Sequence, residues 1–432
     1  MSLHLRTRRK IVLCAIFFCA GIFSVAAEDS DPAAVQFIEA PLQSRDSADV
    51  EIDHSAVSPV ERRFQYALRA SVRSVYDDNI FLTPNNQVED FYFAIEPGIT
   101  LGFGDIVGSD QNYIRLDYAP GAIFYADHSD ANALQHIIRL QGAYHFRRLS
   151  VTFSQDVQLL EGANLNSISS TGANPVPTAR LDAGGAIGVN TFTTSGSFTY
   201  DLTGKTFLSG GLQHLVYDYD TSLIGSEMLS GNLFINFTYS PKLVIGIGGT
   251  AGYNWVDDPS PDQSFEQING RLTYQLSGKV NLNASGGVEF RQFQGGGQNG
   301  SYLSPVYELG LSYQPFDGTS ISLSGNRRTQ NSAVLAGQDY ASTNITVSVR
   351  QRFMRRIYFS VAFGYENSSY FSAVNRVAAS REDNYYFMQP AIDVTLTRFW
   401  TLGAYYLHRE NKSSSAFGFN DNQFGLRTSL TF

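Results

Sequence analysis

Residues 64–73 read FQYALRASVR, and apolar and polar side chains alternate along them one by one. Five side chains share one apolar face: Phe64, Tyr66, Leu68, Ala70 and Val72. The opposite face carries mainly glutamine, serine and arginine. A period of two residues predicts a β-strand with one apolar side. The same alternation recurs from residue 63 to residue 432 in segments of roughly 10–15 residues, so the sequence predicts an all-β fold.

The connections between these segments alternate in length. Short turns are predicted at sites such as Arg147-Arg148, Ser277-Gly278 and Arg355-Arg356. Between them lie longer connections rich in glycine, serine and asparagine, at about 159–182, 218–227, 256–263, 292–301, 327–339, 367–383 and 409–420. Short turns on one side and long loops on the other are typical of a transmembrane antiparallel up-and-down β-barrel. Counting segments predicts about 18 strands with both termini on the periplasmic side.

The composition supports a barrel and excludes other classes. Aromatic residues make up 13% of the chain, yet the mean hydropathy is only -0.15. A bundle of membrane helices would be far more apolar, whereas lipid-facing and lumen-facing side chains of a barrel average out. Aromatic residues at strand ends predict two girdles at the membrane interfaces. The formal net charge of -9 argues against a nucleic-acid partner.

Residues 1–27 have the parts of a secretory signal peptide. Basic residues from Arg6 to Lys10 precede an apolar run over residues 11–23, and Val25-Ala26-Ala27 supplies small residues for cleavage. Both cysteines, Cys14 and Cys19, lie in this segment, so the exported chain would contain no thiol. We therefore expect Sec export to the bacterial outer membrane, a flexible acidic periplasmic tail over residues 28–62, and a barrel over residues 63–432.

The last strand ends in an aromatic residue. Phe424, Leu426, Thr428, Leu430 and Phe432 are predicted to face lipid. A terminal aromatic on an alternating strand is typical of barrels that the outer-membrane assembly machinery recognises. Phe432 is accordingly the predicted assembly signal, and the expected partners are that machinery together with outer-membrane lipid and lipopolysaccharide.

Charged side chains fall on the inward face by the same parity. Those predicted to line the lumen are Arg69, Arg73, Glu96, Arg115, Asp117, Arg139, Arg271, Glu289, Arg291, Glu308, Arg350, Glu366, Asp393 and Arg427. They could pair with one another and stabilise the closed barrel, or they could line a path for polar solutes, which we favour. Because the last strand must pair with the first, the arginines at 69, 73 and 427 are predicted to form a positive strip that favours anions.

No motif indicates catalysis, a cofactor or a metal. Six histidines follow the signal segment without paired metal-ligand spacing, and no serine is singled out as a nucleophile. The glycine run from Gly246 to Gly252 lies within one alternating strand and opens no helix, so it does not fit a dinucleotide-binding motif. Small inward side chains explain these glycines better. The sequence predicts no enzyme.

Two short motifs resemble a known family. Tyr-Asp-Asp-Asn-Ile-Phe at residues 76–81 follows the first strand, and Ile-Glu-Pro-Gly occupies residues 95–98. Together they resemble a family of outer-membrane β-barrel porins whose members are often associated with exopolysaccharide gene clusters. The resemblance implies either a porin or an accessory barrel for polysaccharide export, and it carries over no catalytic residue.

These observations predict a porin-like outer-membrane channel for small polar solutes. Two alternatives remain. One is an accessory barrel that guides exopolysaccharide during export, and the other is a structural or adhesive surface barrel with a plugged lumen. Single-channel conductance separates a channel from a plugged barrel.

Overall fold

The computed structural model describes residues 64–104, 112–162, 182, 187–294, 300–373 and 381–432. The chain divides into two units, Met1–Ile38 and Glu39–Phe432, and all the described residues belong to the second. The predicted signal segment and acidic tail lie outside the described residues. Within the described residues, none of the helices is both long and apolar enough to cross a membrane.

The described residues form almost only β-strands. In chain order these are β1 (Phe64–Asp77), β2 (Asp90–Gly104), β3 (Tyr113–Tyr125), β4 (Ala133–His145), β5 (Leu149–Leu160), β6 (Val189–Asp201), β7 (Thr206–Tyr219), β8 (Ser226–Ser240), β9 (Leu243–Val256), β10 (Asp262–Ser277), β11 (Val280–Gln294), β12 (Ser301–Tyr313), β13 (Thr319–Asn331), β14 (Gln338–Phe353), β15 (Ile357–Ser372), β16 (Glu382–Thr397), β17 (Trp400–Ser413) and β18 (Phe419–Thr431). A single turn of 3₁₀ helix, Ser129–Ala131, joins β3 to β4.

The strands close into one barrel. Each strand pairs antiparallel with the next in the chain, and β1 also pairs with β18. In the closing register Arg73 lies opposite Arg427 and Asp77 lies opposite Gln423. The backbone of Phe432 exchanges hydrogen bonds of 2.8 and 3.0 Å with that of Leu68. The predicted 18-stranded antiparallel up-and-down barrel is confirmed.

The two faces of the barrel wall differ as the alternation predicts. Along β1, Phe64, Tyr66 and Leu68 are exposed on the outside, whereas Ser71 and Arg73 are buried on the inside. Closure gives every strand two neighbours, so the wall has no free edge except where a ladder is incomplete. The outside is therefore an apolar surface suited to lipid, and the inside is polar.

Several strands are longer than the sequence predicted. The connections expected at 327–339, 367–383 and 409–420 shrink because β13 runs to Asn331, β15 to Ser372 and β17 to Ser413. A strand of 16 residues such as β14 rises roughly 53 Å. Even tilted by about 45° it exceeds the roughly 30 Å hydrocarbon layer. Strand ends outside that layer need no apolar face, which is why their polar sequences looked like loops.

Glycines in the wall lie directly opposite aromatic side chains of the neighbouring strand. Gly364 faces Phe387 across β15 and β16, and Gly425 faces Tyr405 across β17 and β18. A Cβ atom at either glycine would collide with the ring. The glycines in the run from Gly246 to Gly252 are required for the same reason. A Cβ atom at Gly246, Gly248 or Gly252 would meet side chains of β8 or β10. The rings of Phe387 and Tyr405 fit against the neighbouring strand because the glycine opposite each ring leaves the space.

The ladder between β12 and β13 is the shortest in the barrel. It runs only from Tyr307 opposite Arg327 to Tyr313 opposite Ile321. The first six residues of β12 pair with β11 alone, and the last four of β13 pair with β14 alone. We call the end of the barrel that carries the connections after odd-numbered strands the loop end, and the opposite end the turn end. The wall is thus split between β12 and β13 at the loop end.

Candidate functional site

The barrel interior is the candidate site, and its turn end is open to water. Asn281, Asn283, Ser312 and Ser320 occupy inward positions on three neighbouring strands, and all four are exposed. An inward side chain is exposed only if solvent fills the space in front of it. The turn end of the interior is therefore a hydrated chamber, which β11 to β13 line with small neutral polar groups.

At the loop end, part of the wall folds into the interior. We call residues 328–341 the inward hairpin; it comprises the end of β13, the connection at 332–337 and the start of β14. Asp339 and Ala341 have the same parity as the outward residues Ile345 and Val347, yet each is only 1% exposed. They are covered because the hairpin has left the edge of β12 and lies inside the wall.

The inward hairpin packs on the inner faces of β10 and β11 through hydrogen bonds. The guanidinium of Arg291 donates to the backbone oxygen of Thr329 at 3.2 Å and to Gln263 Oε1 at 2.6 Å. Gln263 Nε2 then donates to Asp339 Oδ1 at 2.9 Å. Arg291 also pairs with Glu289 at 2.9 Å. A buried guanidinium thus links the wall to both strands of the hairpin.

The tip of the inward hairpin reaches the connections on the β8–β9 side. Asn254 Nδ2 on β9 donates to Asn331 Oδ1 at 3.1 Å. The backbone nitrogen of Ile224 donates to the carbonyl of Ala333 at 2.8 Å, and Gly337 N donates to Ser260 Oγ at 3.0 Å. These contacts connect strands that are not neighbours in the wall, so the hairpin crosses part of the lumen.

A buried ionic cluster fixes the same tip. Asp182 Oδ1 accepts hydrogen bonds from Ser332 Oγ and Tyr370 OH, both at 2.9 Å, and Asp182 Oδ2 accepts one from the Ala333 backbone at 2.5 Å. Arg381 pairs with Asp182 at 3.3 Å and with Asp383 at 2.6 Å. Burial raises the pKa of Asp182, while its hydrogen bonds and Arg381 oppose that rise.

An aromatic stack closes the gap between β12 and β13, behind the inward hairpin. Phe371 at the end of β15 lies against Tyr302 on β12, with ring centroids 3.9 Å apart and planes at 15°. Phe293 on β11 lies 6.3 Å from the same phenylalanine ring. Phe371 has outward parity on its strand, and Tyr302 has inward parity. The loop end of β15 therefore folds inward together with the hairpin.

Most of the charges predicted to line the lumen are paired side by side along the wall. Five ion pairs contain them: Arg73–Glu96 at 2.9 Å, Arg115–Asp117 at 2.8 Å, Arg291–Glu289 at 2.9 Å, Arg427–Asp393 at 2.6 Å and Arg139–Asp156. Each pair joins residues of one strand or of strands close in the wall. They stabilise the barrel locally and do not bridge the lumen.

The remaining predicted residues have mixed surroundings. Arg271 donates to Asn236 Oδ1 at 2.7 Å and lies over the Phe234 ring. Arg350 lies over the Tyr358 ring at 4.6 Å, and Glu366 accepts a hydrogen bond from Ser342 at 2.6 Å. Arg69 and Glu308 lie half-buried on the inward face, and neither makes an ion pair within 4.0 Å in the described part of the chain.

The predicted positive strip is wrong in its charge, although its geometry is right. Arg73 and Arg427 lie opposite each other in the closing ladder, as expected. However, Glu96 neutralises Arg73 through two hydrogen bonds of 2.9 and 3.1 Å, and Asp393 neutralises Arg427. Glu96 lies on β2, next to β1, and Asp393 lies on β16, two strands from β18. Of the three arginines only Arg69 is left without a contact ion pair among the described residues.

Sequence reasoning missed the residues that close the loop end. Asp182, Asp339, Arg381 and Asp383 fell in stretches predicted to be long connections, yet all four are buried. Of these, Asp339 and Asp383 lie in β14 and β16, which extend past their outward apolar residues. Longer strands would have been predicted if the polar alternation had been followed past the last outward apolar residue.

The fold and its two faces define a class: a closed transmembrane β-barrel with a polar interior. The family model described as "Putative beta-barrel porin 2" matches residues 301–432, which span β12 to β18. The resemblance to a porin family seen in the sequence is thereby supported over this part, although residues 76–81 and 95–98 lie outside it. The association with exopolysaccharide gene clusters stays a prediction. No curated protein matches the sequence.

Solved structures with remote similarity include three bacterial proteins. OccAB3 of Acinetobacter baumannii is 12% identical, with 85% of this chain and 99% of that chain covered at a TM-score of 0.42. The outer membrane protein opdK of Pseudomonas aeruginosa is 11% identical, with 85% of this chain and 98% of that chain covered at a TM-score of 0.40. The FrpB iron transporter of Neisseria meningitidis is 8% identical, with 82% of this chain and 62% of that chain covered at a TM-score of 0.47.

Proposed function

We propose that this protein is an outer-membrane channel of the porin type that conducts small polar solutes. Its exposed apolar belt would lie in outer-membrane lipid, with the turn end in the periplasm and the loop end outside. Barrels of 16–18 strands are wide enough to hold an aqueous channel if nothing fills them. The match of residues 301–432 to a porin family supports the same class.

The observation that carries the proposal is the division of the interior into two zones. The turn end is a hydrated chamber in which inward asparagine and serine side chains of β11 to β13 are exposed. The loop end is narrowed by the inward hairpin, which is held by buried hydrogen bonds and ion pairs. A hydrated chamber that leads to a built constriction is the arrangement of a size-selective channel.

The charge distribution bears on selectivity. Five ion pairs neutralise most inward charges, and fixed rings of one sign are what bias a pore strongly towards one ion. The predicted lumen residues outside these pairs carry both signs: Arg69, Arg271 and Arg350 are basic, and Glu308 and Glu366 are acidic. We therefore expect weak ion selectivity and discrimination mainly by solute size and polarity, in place of the anion preference that a positive strip would give.

Planar-bilayer recording tests this proposal. The purified barrel is expected to give stable single-channel steps. Replacing residues 332–337 by Asn-Gly shortens the inward hairpin and should increase the conductance. The matched control shortens the β3–β4 connection at 126–132, which does not contact the hairpin in the described structure. Folded protein without conductance in both forms would contradict the proposal and favour a plugged barrel.

A further inference from the structure

Two acidic motifs meet where the barrel closes. Asp77-Asp78-Asn79 ends β1 and begins its connection, and Asn420-Asp421-Asn422 lies at the start of β18. The Asp78 backbone nitrogen donates to the Asn422 carbonyl at 3.1 Å, and Asp78 Oδ1 accepts from the Asn422 backbone at 2.7 Å. The first and last strands therefore present their aspartates to each other at the loop end.

The three carboxylates converge on one point. One oxygen each from Asp77, Asp78 and Asp421 lies within 4.8 Å of the others. Oxygen ligands lie about 2.3–2.6 Å from a bound calcium ion, so two ligands on opposite sides of the ion are roughly 5 Å apart. The spacing of the three oxygens fits a single coordination sphere.

The local charge is negative and buried. Asp77 and Asp421 are fully buried, and Asp421 Oδ2 pairs with the guanidinium Nε of Arg409 at 2.7 Å. With all three carboxylates ionised, one guanidinium leaves an excess of two negative charges. Buried charge without compensation is strongly unfavourable. One divalent cation would balance this excess.

A second, independent observation points to the same place. Gln423 is fully buried, and its Nε2 donates to Asp77 Oδ2 at 2.9 Å. Its Oε1, and Oδ1 of Asp421, are buried oxygens that receive no hydrogen bond within the described part of the chain. Buried acceptors are normally satisfied, and oxygens of this kind are the ligands that hard cations prefer. Asp78 is half-buried, which gives a cation a route from solvent.

We propose that Asp77, Asp78 and Asp421 bind a calcium ion that joins β1 to β18 at the loop end, with Gln423 as a neutral oxygen ligand. The all-oxygen donor set, with neither imidazole nor thiolate in the trio, favours calcium over zinc or copper. The ion would hold the closing strands together on the inward face of the wall at the loop end.

Calcium titration of the purified full chain tests the site. Protein folded in detergent is stripped with EGTA and titrated with CaCl₂ by calorimetry, and thermal unfolding is followed with and without the ion. We expect one saturable site and a higher unfolding midpoint with calcium. Asp78→Asn should weaken binding about tenfold or more, and Asp421→Asn should abolish it. The matched control, Asp257→Asn with Asp258→Asn, removes exposed loop acids and should bind as the parent does.

Two results would overturn the proposal. One is the absence of saturable binding and of any calcium effect on unfolding in the parent protein, which would indicate a shared proton between the buried aspartates. The other is an affinity that falls in the exposed-acid control but not in Asp78→Asn. If Asp421→Asn fails to fold because Arg409 loses its partner, the parent protein and Asp78→Asn still decide the outcome. Conductance is a separate measurement, so failure here leaves the channel proposal standing.

Discussion

Breaking the buried pair between Arg73 and Glu96 should be among the most destabilising single changes in the barrel wall. The two side chains are 2% and 8% exposed and are joined by two hydrogen bonds of 2.9 and 3.1 Å. Glu96→Gln keeps the shape of the side chain and removes its charge. Arg73 would then remain charged and buried without its carboxylate, which costs about 3–5 kcal/mol.

An ion pair on β3 provides the matched control. Arg115 and Asp117 have the same chemistry at 2.8 Å, but their side chains are 30% and 24% exposed. Water replaces much of the lost interaction in Asp117→Asn, so its cost should be near that of exposed pairs, about 0.2–1 kcal/mol. The two substitutions thus differ mainly in the burial of the ion pair that they break. We expect the loss in free energy of unfolding to be several-fold larger for Glu96→Gln.

Urea unfolding in lipid vesicles, followed by the fluorescence of Trp255 and Trp400, measures both costs. Equal losses for Glu96→Gln and Asp117→Asn would refute the argument that burial sets the energy of these pairs. A double variant, Arg73→Met with Glu96→Leu, removes both charges and should recover most of the loss. If the double variant is as unstable as Glu96→Gln, packing and not charge burial is responsible.

Three further predictions concern the terminus, the wall and the hairpin. Phe432→Asp should lower the yield of heat-modifiable barrel in outer-membrane fractions, whereas the same change at exposed Phe316 in the β12–β13 turn should not. Gly425→Val should reduce folding because its side chain collides with Tyr405, while Gly310→Val, which has open space around it, should fold normally; equal yields would contradict this. Asp182→Ala should loosen the inward hairpin and increase current fluctuations in bilayers, and unchanged recordings would show that Asp182 does not anchor it.

The barrel and its strand number could be predicted because the alternation is a local signal. Each lipid-facing residue must be apolar while it crosses the hydrocarbon layer, so the strand of residues 64–73 reveals its own two faces. The same parity placed Arg73 opposite Arg427 once the last strand was assumed to pair with the first. Both inferences use only strand geometry and the requirement for closure.

The inward hairpin could not be predicted, because it depends on contacts between distant strands. Nothing near Asp339 in the sequence indicates Gln263 as its partner, and Asp182 lies far from Ser332 along the chain. Outside the lipid the outward face may be polar, so the period-two signal no longer separates strand from loop. Glu96 and Asp393 were predicted to face inward near Arg73 and Arg427, but side-chain parity does not show which inward charges are in contact.

The incomplete ladder between β12 and β13 determines where the ring should tear under mechanical load. A closed wall resists pulling through its interstrand hydrogen bonds, and this seam holds the fewest paired residues. Rupture there would open the ring into one continuous sheet that runs from β13 through β18 and β1 to β12, with the inward hairpin at its free edge. In single-molecule extraction from a bilayer, the first force peak should therefore mark the opening of the ring at this seam, ahead of the unravelling of individual hairpins.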